Sequence, residues 1–168
     1  FAEGDERHLN DLYFRHDNAT RQYWTSPGVG VHYTKPVYVL TSPRTFSGGE
    51  ECAYDLQTQK RATLVGETTG GGANPGDPVE LAAGFAAFIP NGRAINPVTH
   101  TNWEHVGVKP DVPSPAANAL KTAYATALRP LVDAATDPDE KTDLQETLRH
   151  LGHKAEADPA ALEVPFYP

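Results

Sequence analysis

The chain has 168 residues, with 15 prolines, 14 glycines, one cysteine, no methionine and a net charge of −8. A single cysteine excludes an internal disulfide, and no apolar run approaches the roughly 18–20 residues of a membrane-spanning helix. No basic stripe is present to meet phosphates, which argues against nucleic-acid binding. The charge is uneven: Asp133 to Pro168 holds nine acids and three bases, while the rest is near neutral. At 39% apolar residues the chain can build a core. It starts Phe-Ala-Glu-Gly and lacks Met, so the expectation is a processed chain or part of a longer one. No signal segment is visible, which leaves the compartment open.

Residues 1–34 are polar with scattered aromatics (Tyr13, Phe14, Tyr23, Trp24) and read as a long loop held by a few apolar anchors. The β-branched and apolar run Pro36–Thr41 reads as a buried strand. After the turn Ser42-Pro43-Arg44, a helix is expected over Ser47–Arg61, with Cys52, Ala53 and Leu56 as its inner face. Glu50 and Glu51 in its first turn suit the positive end of the dipole. Ala62–Glu67 reads as a second buried strand. Strand, helix and strand in about 32 residues make a βαβ unit with parallel strands.

A glycine loop follows, Thr68-Thr-Gly-Gly-Gly-Ala-Asn-Pro-Gly76. Val79–Ala83 and Phe85–Ile89 read as strands. Pro90–Arg93 is a turn signal, with Ala94–Val98 as the returning strand. Ser114-Pro115 pairs a cap residue with a first-turn proline, and the helix it opens has Leu120, Tyr124, Leu128 and Leu131 as its apolar face. Asp137 opens the last helix in a capping-box pattern with Glu140, its stripe being Leu144, Leu148 and Leu151. The Pro-containing end to Pro168 reads as extended.

The chemistry concentrates after the first strand. Ser47 lies beyond a strand's carboxyl end and at a helix N-terminus, where active sites of open α/β sheets gather. Free amides there, from Gly48 and its neighbours, suit an oxyanion, and Gly48-Gly49 removes side chains that would crowd a substrate. Two readings stand on pattern alone: Ser47 or Thr45 as a helix cap, or Ser47 as a nucleophile if a base reaches it. His150 and His153, three apart, offer two metal ligands at most. The triple glycine lacks the Gly-Lys-Ser/Thr of a phosphate loop. Cys52 reads as core. Nothing implies a cofactor or a metal.

Lys35-Pro-Val-Tyr-Val-Leu-Thr-Ser-Pro-Arg-Thr-Phe-Ser-Gly-Gly-Glu50 resembles the nucleophile segment of the C-terminal processing (tail-specific) serine peptidases. Arg61-Ala-Thr-Leu-Val-Gly-Glu-Thr-Thr-Gly-Gly-Gly72 resembles the strand and glycine loop that follow it. Ala94-Ile-Asn-Pro97 and Asn102-Trp-Glu-His-Val-Gly-Val-Lys-Pro-Asp111 resemble the later part of that domain. The resemblance spans roughly residues 8–130 and is nearest the branch of interphotoreceptor retinoid-binding protein and its tricorn-type relatives. It implies an α/β crotonase/ClpP-like spiral, with residues 1–132 as the C-terminal part of the catalytic domain and 133–168 as an acidic helical tail.

The resemblance also makes Ser47 the nucleophile and the Gly48 amide part of the oxyanion hole, and it assigns Gly70, Gly71 and Gly72 to the main chain of a peptide or protein substrate. In the processing peptidases a lysine in the glycine loop is the base; Gly72 stands at that position, so a Ser–Lys dyad is absent. Lys60 is roughly 20 Å away at the far end of the helix. Tricorn-type relatives use an upstream His in a network with a later Glu, which Glu104 matches; the alternative for Glu104 is an ordinary surface carboxylate. That His, and the strand completing the oxyanion hole, are expected before residue 1, in an N-terminal remainder of the same domain. His100 and His105 are the candidates within the chain, and His8, His16 and His32 are expected to bridge loops.

Three roles follow: a serine peptidase whose base lies upstream; a non-catalytic domain holding a hydrophobic ligand or peptide; and, for the helix pair Ser114–Gly152, a docking element for an oligomer or partner.

Overall fold

The computed structural model describes residues 1, 4, 6–28 and 30–153. Strand β1 (His8–Phe14) pairs antiparallel with β2 (Ala19–Trp24) on one side and with β7 (Gly92–Ile95) on the other. The expected irregular loop over residues 1–34 is therefore a hairpin from His8 to Trp24, half of its length. The turn after Phe14 closes on Asn18, whose φ of 46° suits an Asn in a tight turn. Every residue of β2 is exposed, so the strand has no apolar face for a sequence pattern to reveal. Cross-strand pairing holds it instead: His8 stacks on Trp24 at 4.4 Å, and the Arg21 guanidinium lies over the Phe14 ring.

The second sheet is parallel, in the order β3–β4–β8, from β3 (Tyr38–Thr41), β4 (Thr63–Gly66) and β8 (Val112–Pro113). Helix α1 (Gly48–Thr58) connects β3 to β4, as the βαβ reading required. The two strands converge at their carboxyl ends. A Cβ on Gly66 would stand 2.0 Å from Thr41 O, and φ there is +140°, so only glycine fits. The core joins α1 and β4 to the later loops through Ala53, Leu64, Ala73, Ala94, Trp103 and Val108. Cys52 is exposed rather than core. The positions facing inward from α1 are Glu50, Ala53 and Asp55.

Strands β5 (Gly76–Glu80) and β6 (Ala86–Pro90) form a separate antiparallel hairpin that leaves Val79, Leu81, Phe85 and Phe88 exposed. Pro90–Arg93 is not the turn of a further hairpin. The chain passes there from β6 into β7, which is shorter than expected and pairs with β1.

Helix α2 (Ala119–Ala134) begins later than Ser114, after a short 3₁₀ turn at Ala116–Asn118. Ser114 Oγ meets Thr122 Oγ1 at 2.8 Å. The buried face of α2 is Ala119, Ala123, Leu128 and Val132, whereas Leu120, Tyr124 and Leu131 are exposed. Small alanines lie inward because the helix sits close on the sheet, and the larger side chains are left outside. The boundary expected at 132/133 falls inside α2. Helix α3 (Pro138–His153) is capped as expected, Asp137 Oδ1 accepting the Asp139 and Glu140 amides at 2.9 Å. Its leucines Leu144, Leu148 and Leu151 are half-buried, and α3 packs on α2. The extended end expected after residue 153 lies outside the described residues.

Candidate active site at the strand-to-helix turn

The turn after β3 is held by its own side chains. Ser42 N–H donates to Thr45 Oγ1 at 3.1 Å, and Thr45 N–H returns to Ser42 O at 2.9 Å. The next two residues, Phe46 and Ser47, are exposed, and α1 begins at Gly48. Ser47 has φ 52° and ψ −122°, a region that non-glycine residues occupy only when their surroundings impose it. Ser47 is thus an exposed serine on a sharp strand-to-helix turn, the backbone setting of a nucleophile elbow. Ser47 O accepts the Glu50 and Glu51 amides at 2.8 and 3.0 Å, and Gly49 N–H is taken by Phe46 O. Gly48 N–H has no partner among the described residues, and a Cβ placed on Gly48 would meet nothing within 4 Å.

The Ser47 amide itself is bound. It donates to Glu50 Oε2 at 2.9 Å. Glu50 is fully buried and also accepts the Thr69 hydroxyl, Gly71 N–H at 2.7 Å and Gly72 N–H at 2.8 Å. The sequence reading gave Glu50 only a dipole role. The signal was present, however, since Ser47-x-x-Glu50 has the spacing of a capping box.

The N–H groups of Gly70, Gly71 and Gly72 are all engaged. Gly70 N–H donates to Thr45 O at 3.0 Å, while Gly71 O and Gly72 O accept the His105 amide and the Trp103 indole. The room left by the missing side chains is filled by the Phe46 ring: a Cβ on Gly72 would lie 2.2 Å from its Cζ, and one on Gly70 2.8 Å from its Cδ2. The amides expected to meet a substrate main chain are therefore already bonded within the protein.

Glu104 closes the other end of this loop. Its Oε2 accepts Ala73 N–H at 2.6 Å and Asn74 N–H at 2.9 Å, so it is not a free surface carboxylate. Its Oε1 stands 3.6 Å from Nε2 of the exposed His105. Two carboxylates thus take four successive amides, 71 to 74. Among the described residues no imidazole, amine or carboxylate is hydrogen-bonded to Ser47 Oγ. His8 and His16 bond to Asp11 and Asp17, within their own strand and turn, rather than bridging loops. His100 is exposed.

Behind the site, α1 lies on β1 through a buried polar cluster. Asn10 Nδ2 donates to Glu51 Oε1 at 2.9 Å. Asn96 Nδ2 donates to Thr58 Oγ1 at 3.0 Å and to Asp55 Oδ1 at 3.3 Å. Burial, and then the neighbouring Glu51 charge, push the Asp55 carboxyl up to about 7, against the opposing Asn96 hydrogen bond.

The structure is similar to the photosystem II D1 C-terminal processing protease (TM-score 0.54, 25% identity, 67% of this chain and 28% of that one). It is also similar to a candidate peptidase from Parabacteroides merdae (TM-score 0.65, 18% identity, 79% and 46%) and to mature CPAF complexed with lactacystin (TM-score 0.50, 22% identity, 73% and 23%). The chain spans less than half the length of each. Residues 5–114, which hold the Ser47 turn, the glycine loop and Glu104, match the model of peptidase family S41, and the chain belongs to that family.

Proposed function

We propose that this chain carries the nucleophile of a serine-type peptidase acting on peptide or protein substrates. The observation that supports it most is Ser47, held exposed at a positive φ beside an amide, Gly48 N–H, that has no partner among the described residues. In the proposed reaction Ser47 Oγ attacks the scissile carbonyl carbon, its proton passes to a base, and Gly48 N–H donates to the oxyanion. The base returns the proton to the departing amine, and water then hydrolyses the acyl-enzyme. The base is a His of the N-terminal remainder of the domain, in the manner of the tricorn-like and retinoid-binding-protein-like branch. Glu104 supports that network, and Gly70–Gly72 shape the site by seating Phe46.

The sheet suggests where that remainder sits. β3 is an edge strand, and beside it an apolar cleft of about 250 Å³ is lined by Tyr38, Leu40, Leu120, Ala123, Tyr124 and Ala127. A strand added to this edge, completing the crotonase-like spiral, would cover the cleft and run past Ser47. The same cleft favours the second reading, a non-catalytic domain holding a hydrophobic ligand.

A fluorophosphonate probe on the whole protein separates the two. Labelling that disappears in Ser47→Ala is expected, while the 168-residue chain alone hydrolyses little or no peptide. A folded whole protein that takes no label refutes the peptidase reading.

A further inference from the structure

Glu50 has no exposed surface at all. A carboxylate without water persists only where donors replace the lost hydration. Glu50 has four, divided evenly: Oε1 accepts the Thr69 hydroxyl and Gly71 N–H, and Oε2 accepts Ser47 N–H and Gly72 N–H. Among the described residues no cation pairs with it. The arrangement spends a buried charge on neutral donors, one of which is the amide of the residue carrying the chemistry.

Two consequences follow at Ser47. Its amide is turned into the protein, and the neighbouring Gly48 N–H is left without a partner among the described residues. Its backbone also gains an anchor for the φ 52°, ψ −122° conformation, which would otherwise relax. Thr69 carries the restraint further, accepting Val108 N–H at 2.7 Å while donating to Glu50. A continuous run of hydrogen bonds therefore joins Val108, Thr69, Glu50 and Ser47, which lie in three segments well apart in sequence.

Resting on the reading of Ser47 as nucleophile, we propose that Glu50, with Thr69 as its partner, is a positioning residue. It fixes the direction of Ser47 Oγ and reserves Gly48 N–H for the oxyanion, without touching the substrate. Glu50→Gln replaces one acceptor oxygen with an NH₂ that faces two donors, either the Ser47 and Gly72 amides or the Thr69 hydroxyl and the Gly71 amide. Thr69→Val keeps the shape and removes the hydroxyl.

The test is fluorophosphonate labelling of the whole protein, resolved into kinact and KI, with urea midpoints measured in parallel. Thr69→Val guards against Glu50→Gln failing to fold. Both variants are expected to lower kinact about 100-fold, the scale of an ångström-level misplacement, with KI within about 3-fold. Thr69→Ser is expected to restore kinact. Wild-type kinact in a folded Glu50→Gln or Thr69→Val protein, or a change confined to KI, overturns the inference while leaving the nucleophile reading intact. A wild-type protein that takes no label overturns both.

Discussion

Asp55 gives the buried polar cluster a measurable pH signature. The carboxyl is 6% exposed and is raised from its ordinary 3.8 to about 7, chiefly by burial. The folded state therefore holds a proton that the unfolded chain releases. Stability from this group is complete below pH 3.8 and is lost as pH rises through about 7. The rise corresponds to about 4 kcal/mol over the whole range, of which about 2.5 kcal/mol falls between pH 5 and pH 8. Asp55→Asn removes the titration. Its amide can still accept from Asn96 and can donate towards the Glu51 carboxylate one turn away. The assay is urea unfolding of both proteins at pH 5, 6, 7 and 8, read as the difference between them, so that the other ionisable groups cancel. The variant should gain on wild type steadily with pH, by about 2.5 kcal/mol across the series. A difference that stays flat from pH 5 to pH 8 would show that Asp55 is ionised in the fold, and would refute the reasoning from burial.

Ser47→Gly relieves the positive φ that Ser47→Ala retains, so the glycine variant is expected to be the more stable of the two by about 1 kcal/mol in urea, with neither labelled by a fluorophosphonate. Equal midpoints would mean that the turn is unstrained. Gly72→Ala places a Cβ where the Phe46 ring lies and is expected to destabilise by about 1–3 kcal/mol. In a Phe46→Ala background most of that loss should vanish, and strictly additive midpoints would separate the ring from the glycine.

The parts of the fold legible in the sequence are those whose residues announce their burial. Tyr38–Thr41 and Thr63–Gly66 are buried or half-buried for most of their length and read as apolar runs, and a helix of the right length lies between them. The Asp137 cap was equally legible, because capping is a contact between near neighbours. β2 was hidden because an exposed edge strand needs no apolar alternation, and β1 because its one fully buried residue is the polar Asn10. The inner face of α2 was misjudged for a related reason. Hydrophobicity ranks Leu120, Tyr124 and Leu131 above alanine, but a helix seated close to a sheet selects inward residues by size, and Ala119 and Ala123 fit where tyrosine does not.

The site divides along the same line between local and distant causes. Ser47 and Gly48 stand out in the sequence because a strand, a turn and a helix N-terminus are adjacent there, and that local backbone is what the structure has. The glycines at 70–72 were found, but their purpose was not: open glycines suggest space for a substrate, and only the fold shows that Phe46, some 25 residues earlier, fills it. Glu50 was legible only in part. Its spacing from Ser47 fits a capping box, which predicts reciprocal contacts with Ser47 and nothing beyond them. Its other three donors come from residues 69 to 72, brought to it by the parallel pairing of β3 and β4. Had Glu50 only capped the helix, one oxygen towards solvent would have sufficed. Complete burial on four donors is what distinguishes a residue that ties the Ser47 turn to the glycine loop from one that merely caps a helix.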